Sequence, residues 1–262
     1  MLGPIFSARI QMESIPRLVT LSFLMSSTTT LTFFRFHNSQ SKMWAFGQMQ
    51  FAHAYISKTP GLQFYKLMGS GREPGFSPLP DWGVYAMLGI WANEQCADHF
   101  FKDAEIFKRY QAHSSEQWTI YMKPKQAKGL WSGRNPFTPS TDLDDNNPLI
   151  AVITRATIKA GKLIKFWDYV PTSQQPIVQG CKGLIYTKGI GEAPLIQMAT
   201  FSLWENIDAL KNFAYNSPEH QEAIRKTRKI DWYKEELFAR FQPYRSVGTW
   251  GGENVLAPYL NH

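Results

Sequence analysis

The 262 residues include 44 % hydrophobic and 15 % aromatic side chains against 19 % charged, which suits a packed core and excludes a disordered chain. A net charge of +7 comes from scattered basic residues; the densest runs, "KPKQAK" (123–128) and "IRKTRK" (224–229), read as solvated faces and not as a nucleic-acid track. Two cysteines, Cys96 and Cys181, exclude a disulfide framework or thiolate metal centre and fit a reducing, cytoplasmic setting, while the longest uncharged stretch, 18–34, is too short and too rich in Ser and Thr to span a bilayer, leaving only peripheral contact with an inner membrane.

In chain order, residues 1–24 are expected to be a flexible leader, with Met25 an alternative start and "VTLSFL" (19–24) competing with "LTFFRF" (31–36) as first strand. A first unit, 25–131, then shows strand-like segments near 31–36, 61–68, 83–91 and 116–122 and helical periodicity near 40–56 and 94–112. A polar, Pro-rich linker, 132–148, follows. The second unit, 149–243, repeats the order with strands near 150–158, 183–190, 196–204 and 235–242 and helices near 162–175 and 206–228, leaving a tail at 244–262.

The two units share residues as well as order. Trp91 and Asn93 align with Trp204 and Asn206 at an offset of 113, "GLQFYK" (61–66) with "GLIYTK" (183–188) at 122, and "LTFFR" (31–35) with "AVITR" (151–155) at 120. Strand, helix, strand, strand, helix, strand is the ferredoxin-like, or split βαβ, unit, whose sheet leaves one face bare. Two copies supply each other's cover. The expected fold is therefore α+β: duplicated ferredoxin-like units facing each other as a fused dimeric α/β-barrel pseudo-dimer.

Among residues able to carry chemistry, His220 stands in "YNSPEHQEAI" (215–224), where Ser217 can cap a helix and Pro218 suits its first position. At the third position the helix dipole disfavours imidazolium, which leaves the neutral imidazole a metal ligand requires; an exposed helix histidine is the plainer alternative. The corresponding first-unit residue is Phe107. His37, His53, His99, His113 and His262 have no metal-ligand spacing, so a solitary ligand points to haem iron, with Arg155, Lys188 or Arg225 as cationic partners for its propionates. Two turns, "KLMGSG" (66–71) and "KGIGE" (188–192), place Gly69, Gly71, Gly189 and Gly191 either where backbone approaches a flat ligand or where a twisted strand ends. There is no dinucleotide fingerprint, G-x-S-x-G elbow, Walker loop or zinc finger.

The motifs "WAFGQM" (44–49), "YKLMGSG" (65–71), "GFSPLP" (75–80), "TRATI" (154–158), "GIGE.P" (189–194), "ATFSLW" (199–204) and "W..EELFARF" (232–241) make the chain resemble the spheroidene monooxygenase family from about Leu31 to Phe241. That resemblance implies a carotenoid-modifying oxygenase of dimeric α/β-barrel type. It would carry haem, use O2 with an external electron donor such as a ferredoxin, and introduce a keto group at C-2 through two hydroxylations of one carbon. It makes His220 the iron ligand and Arg155 a propionate partner or a catalytic group near bound oxygen. The rival expectations are a haem peroxidase or dehydratase acting on a small molecule, a non-catalytic haem-binding module, and a cofactorless monooxygenase of the same fold.

Overall fold

The run TTTLTFFR forms the first strand, β1 (Thr28–Arg35), because β-branched and aromatic side chains suit a pleated surface packed on both faces. The computed structural model describes residues 27–72, 79–168, 181–216 and 230–260. Among these, the further strands are β2 (Leu62–Gly71), β3 (Pro80–Trp91), β4 (Glu116–Gly129), β5 (Ile150–Ile158), β6 (Leu184–Ala193), β7 (Gln197–Trp204) and β8 (Tyr233–Gly248). All pairings are antiparallel, and the sheet closes on itself in the order β1-β3-β2-β6-β7-β5-β8-β4. Divided at β2·β6 and β4·β8, the barrel gives two four-stranded sheets, β4-β1-β3-β2 and β8-β5-β7-β6. Each runs fourth, first, third, second.

Alternation along the strands sorts side chains to two sides. Leu31, Phe33, Met68, Leu88, Ile120, Ile153, Phe201 and Phe241 point into the lumen and fill it. On the outer surface of the first half, Phe34, Leu67, Tyr85, Met87 and Trp91 pack under helices α1 (Ser39–Phe51), α2 (His53–Ile56), α3 (Glu94–Asp103) and α4 (Glu105–His113). The helix expected over 94–112 is two, broken at Ala104, whose ψ of 124° is extended. In the second half, α5 (Ile207–Asn216) covers Ile150, Val152 and Trp204, and a last turn, α6 (Ala257–Leu260), abuts the lumen core. The leader at 1–24 and, of the expected helices 162–175 and 206–228, residues 169–175 and 217–228 lie outside the described residues; 163–168 is helical as expected.

The Trp-x-Asn repeat has a local cause. Trp91 and Trp204 end their strands and pack on Phe100 and Phe213 of the next helix, at ring-centroid distances of 5.2 and 5.1 Å. Asn93 and Asn206 then cap those helices, each side-chain oxygen accepting from the backbone N–H three residues on, Cys96 and Ala209, at 2.9 Å.

Strand register corrects one expected correspondence. Thr28 faces Trp91 as Ile150 faces Trp204, so β1 and β5 correspond at an offset of 122 and not 120. Arg155 therefore occupies the lumen position of Phe33, and Arg35 that of Thr157. The register also places Glu116 opposite Arg35 and Glu235 opposite Thr157.

Those two glutamates close the barrel. After β4 the chain reads Gly129-Leu-Trp131-Ser-Gly133-Arg-Asn135, and after β8 it reads Gly248-Thr-Trp250-Gly-Gly252-Glu-Asn254. Both segments begin on a left-handed glycine, with φ of 101° at Gly129 and 86° at Gly248. A Cβ there would lie 2.2 Å from the carbonyl oxygen of Glu236 or Gln117 on the neighbouring strand, so only glycine fits. Each then turns tightly, Trp131 N–H donating to Arg134 O at 2.7 Å and Trp250 N–H to Glu253 O at 2.8 Å. The Glu235 carboxylate accepts from Ser132 N–H (3.0 Å), Gly133 N–H (2.7 Å) and Arg155. Glu116 accepts from Gly252 N–H (2.8 Å), Gly251 N–H and Arg35. β8 thus runs past the expected boundary at 243, and Trp250 and Leu256 pack in the core beyond it.

For both glutamates burial pushes the carboxyl up, but the backbone donors and the arginine outweigh it and hold each below the ordinary 4.5. The stability they contribute is present above pH 4.5 and is lost as pH falls through the lower folded-state values. Glu235→Ala leaves the Arg155 guanidinium buried without its main partner and should cost about 3–5 kcal/mol in urea unfolding. Arg155→Met, which removes the charge itself, should cost less, and Glu235→Ala should flatten the fall of melting temperature below pH 4.5.

Candidate functional site

The seam between β2 and β6 is joined by Gly69 facing Gly191 and Ser70 facing Ile190. Met68 and Ile190 point into the lumen and Leu67 outward, so Gly69 and Gly191 lie side by side on the outer surface. With no side chain there, a cleft of about 310 Å³ opens over the seam, at the lower end of the ~300–1,000 Å³ of small-molecule sites. Gly71 and Gly189 extend its floor. Its walls are Phe46 and Met49 of α1, Trp82 and Tyr85 of β3, Leu195 of the β6–β7 turn, and Met198 of β7.

The paired glycines are required for different reasons. A Cβ on Gly69 would meet nothing within 4 Å and would project into open space. On Gly191 it would lie 2.6 Å from the carbonyl oxygen of Gln197. Gly191 therefore serves the turn into β7, and Gly69 serves the cleft.

Charges near the seam are matched within the chain. Lys188 Nζ lies 3.1 Å from Asp81 Oδ2, whose other oxygen accepts from Gly83 N–H at 3.0 Å. Lys66 is paired with Glu192, and Trp131 Nε1 donates to the second Glu192 oxygen at 2.6 Å. Ser70 Oγ donates to Val84 O at 2.9 Å. Tyr85 is different. It is 6 % exposed, and its hydroxyl has no hydrogen-bond partner among the described residues. Burial, then the Asp81 charge, pushes the phenol up to about 12, so it keeps its proton and remains a donor.

The outer surface of the second sheet is stripped relative to the first. Leu67 faces Met87 as Gly189 faces Thr200, and Phe34 faces Tyr85 as Ala156 faces Met198. Large residues on the first sheet thus correspond to the smaller Gly189, Thr200 and Ala156 on the second, of which Gly189 also lines the cleft.

Of the expected site residues, Gly189 and Gly191 line the cleft, together with Gly69 and Gly71. Lys188 is held by Asp81. Arg155 is 2 % exposed in the lumen, ion-paired to Glu235 and 3.7 Å from Glu192, while its Nε has no hydrogen-bond partner among the described residues. His220 and Arg225 lie outside the described residues. No cluster of three His, Cys, Asp or Glu able to hold a metal occurs among the described residues, and His53 and His113 are engaged by Tyr65 and by Trp44 and Arg109 O. Tyr85, Trp82, Phe46 and Met198 were not singled out from sequence. The available signal was α1, SQSKMWAFGQMQF, whose apolar residues are too many for one buried face; Met43, Phe46 and Phe51 are 75, 57 and 66 % exposed.

No family model matches the chain. Among solved structures, an aldoxime dehydratase superposes with a TM-score of 0.58 at 10 % identity, over 89 % of this chain and 88 % of that one. A second aldoxime dehydratase, in complex with butyraldoxime, gives the same TM-score and identity over 89 and 86 %. The protein is thus a closed antiparallel α/β barrel of the kind seen in those dehydratases, with an apolar cleft at one seam. Among curated proteins, the spheroidene monooxygenase of Cereibacter sphaeroides is 36 % identical over 234 residues, 89 % of this chain and 72 % of that protein. That of Rhodobacter capsulatus is 35 % identical over 230 residues, 87 and 95 %. The chain belongs to the spheroidene monooxygenase family and is an oxidoreductase of the monooxygenase type.

Gly69→Ala should leave the melting temperature unchanged or higher, since the methyl meets nothing and a strand glycine is entropically costly. Gly191→Ala should destabilise by about 1–3 kcal/mol, because backbone must move to admit it. Thermal and urea unfolding of the pair would measure the contrast.

Proposed function

We propose that this chain is a carotenoid monooxygenase that oxidises C-2 of an acyclic carotenoid to a ketone, with haem as cofactor and O2 as co-substrate. The reading is carried by the 36 and 35 % identity to two spheroidene monooxygenases over nearly nine-tenths of the chain. Each turnover replaces one C–H bond by C–OH and delivers the second oxygen atom to water, using two electrons from an external donor such as a ferredoxin and two protons. A second hydroxylation at the same carbon gives a geminal diol, which loses water to the ketone.

The chain's residues suit this use. Phe46, Met49, Trp82 and Met198 offer an apolar surface to a polyene and exclude water from its oxidised end. Bound haem would supply O2 activation, and the smaller residues Gly189, Thr200 and Ala156, where the first half has Leu67, Met87 and Phe34, support its placement on the second half. His220 is the proposed iron ligand, and Arg155, Lys188 or Arg225 the proposed propionate partner, the first two also meeting Glu235 and Asp81 of this chain. The repeated strand order supports two fused ferredoxin-like copies, of which the second has specialised. No helix among the described residues is long and apolar enough to cross a membrane. The exposed Met43, Phe46, Leu79 and Trp82 support a peripheral membrane contact through which an apolar substrate would arrive.

After haem supplementation the purified protein should show a Soret band that His220→Ala abolishes or shifts. Thr200→Met, which restores the first-half residue, should reduce haem uptake while the protein stays folded. An unchanged band in the histidine variant would remove His220 as ligand. Cells making an acyclic carotenoid should gain oxygenated product under air only when the protein is expressed; no product from any carotenoid offered would overturn the substrate class.

A further inference from the structure

We propose that Tyr85 reads an oxygen-bearing end group of the substrate, donating its phenolic O–H to a hydroxyl, ether or carbonyl oxygen seated in the cleft over Gly69 and Gly191. This rests on the carotenoid reading above and adds the means by which one polyene is told from another.

A buried hydroxyl without a partner costs about 1–3 kcal/mol, and phenylalanine would fill the same space without that cost. Tyr85 is such a group: its ring packs edge-on against Phe36 at 5.8 Å, its hydroxyl is unpaired among the described residues, and it forms part of the cleft wall. Asp81, Lys188 and Ser70 are bonded to one another or to backbone, and among the described residues lining the cleft Tyr85 is the one with a buried side-chain polar atom that has no partner.

The two halves isolate the point further. Tyr85 faces Gly69 across β2·β3 as Met198 faces Gly191 across β6·β7, so corresponding positions flank the seam and one of them carries the hydroxyl. A packing requirement alone is met by Met198 on its side. Being buried, this donor is selective, because a hydrocarbon end leaves it unpaired while an oxygen satisfies it. The cleft's 310 Å³ takes an end group and not a whole carotenoid, so recognition falls on the chain terminus.

The test compares dissociation constants of purified protein for two detergent-dispersed probes, the hydrocarbon lycopene and its derivative with one terminal hydroxyl. Wild type should prefer the hydroxylated probe, and Tyr85→Phe should reduce that preference about five- to tenfold. Tyr85→Phe should melt no lower than wild type, since it removes an unpaired buried group. Gly69→Leu, whose side chain enters open space, should weaken both probes alike. An unchanged preference in Tyr85→Phe, a marked loss of its stability, or unchanged binding in Gly69→Leu would each overturn the assignment. Oxygenation of carotenoid by wild type under air decides the underlying reading separately: product formation with an unaltered preference removes Tyr85 alone.

Discussion

A carboxylate from each half holds the turn that leaves the other half, and the closed barrel depends on that exchange. Glu235 of β8 grips the backbone N–H groups of Ser132 and Gly133 beyond β4, and Glu116 of β4 grips those of Gly251 and Gly252 beyond β8. Consecutive N–H groups make an anion seat that needs no cationic side chain, which leaves each arginine to complete the carboxylate's coordination. Trp131 and Trp250 follow from those turns and are carried against the lumen core, with Arg155 and Arg35 over their rings at 5.7 and 4.1 Å. The two ends are still unlike. One gathers Phe33 with the rings of Trp118, Tyr186, Phe201 and Trp250; at the other, Arg155 occupies the position of Phe33 and is neutralised by Glu235 and Glu192.

Element order and the Trp-x-Asn repeat were legible because their causes are local: a strand end, a ring on the next helix, a cap. Register was less so. "LTFFR" and "AVITR" look alike, but a strand's two-residue period lets a slip of two keep every side chain on its proper face, and only the partners across the ladder reveal it. The repeat Gly-x-Trp-x-Gly-x-Asn was present in the sequence at 129–135 and 248–254. Its two copies fall outside the strand–helix units, in the linker and the tail, where no apolar periodicity marks them.

The site was half legible. Glycines at 69, 71, 189 and 191 announced backbone without cover, and they form the cleft floor. Their distinct duties, one leaving space and one avoiding the Gln197 carbonyl across the β6–β7 hairpin, appear only once the strands are paired. Tyr85 gave no signal, since a tyrosine in GVYAMLGIW is ordinary strand material until its hydroxyl is seen to lack a partner. At Arg155 the need was legible and its partners were not: an inward strand arginine needs an anion, and Glu235 and Glu192 come to it from other strands of the barrel.

The two seams are unequally sewn. β4 and β8 are paired over eleven residue positions, and β2 and β6 over two. Such a barrel has a backbone spine along one side, while along the other the join passes to side chains: Lys66 of β2 meets Glu192 of β6, and Lys188 of β6 meets Asp81 of β3, so that edge is sewn by charge where the other is sewn by peptide.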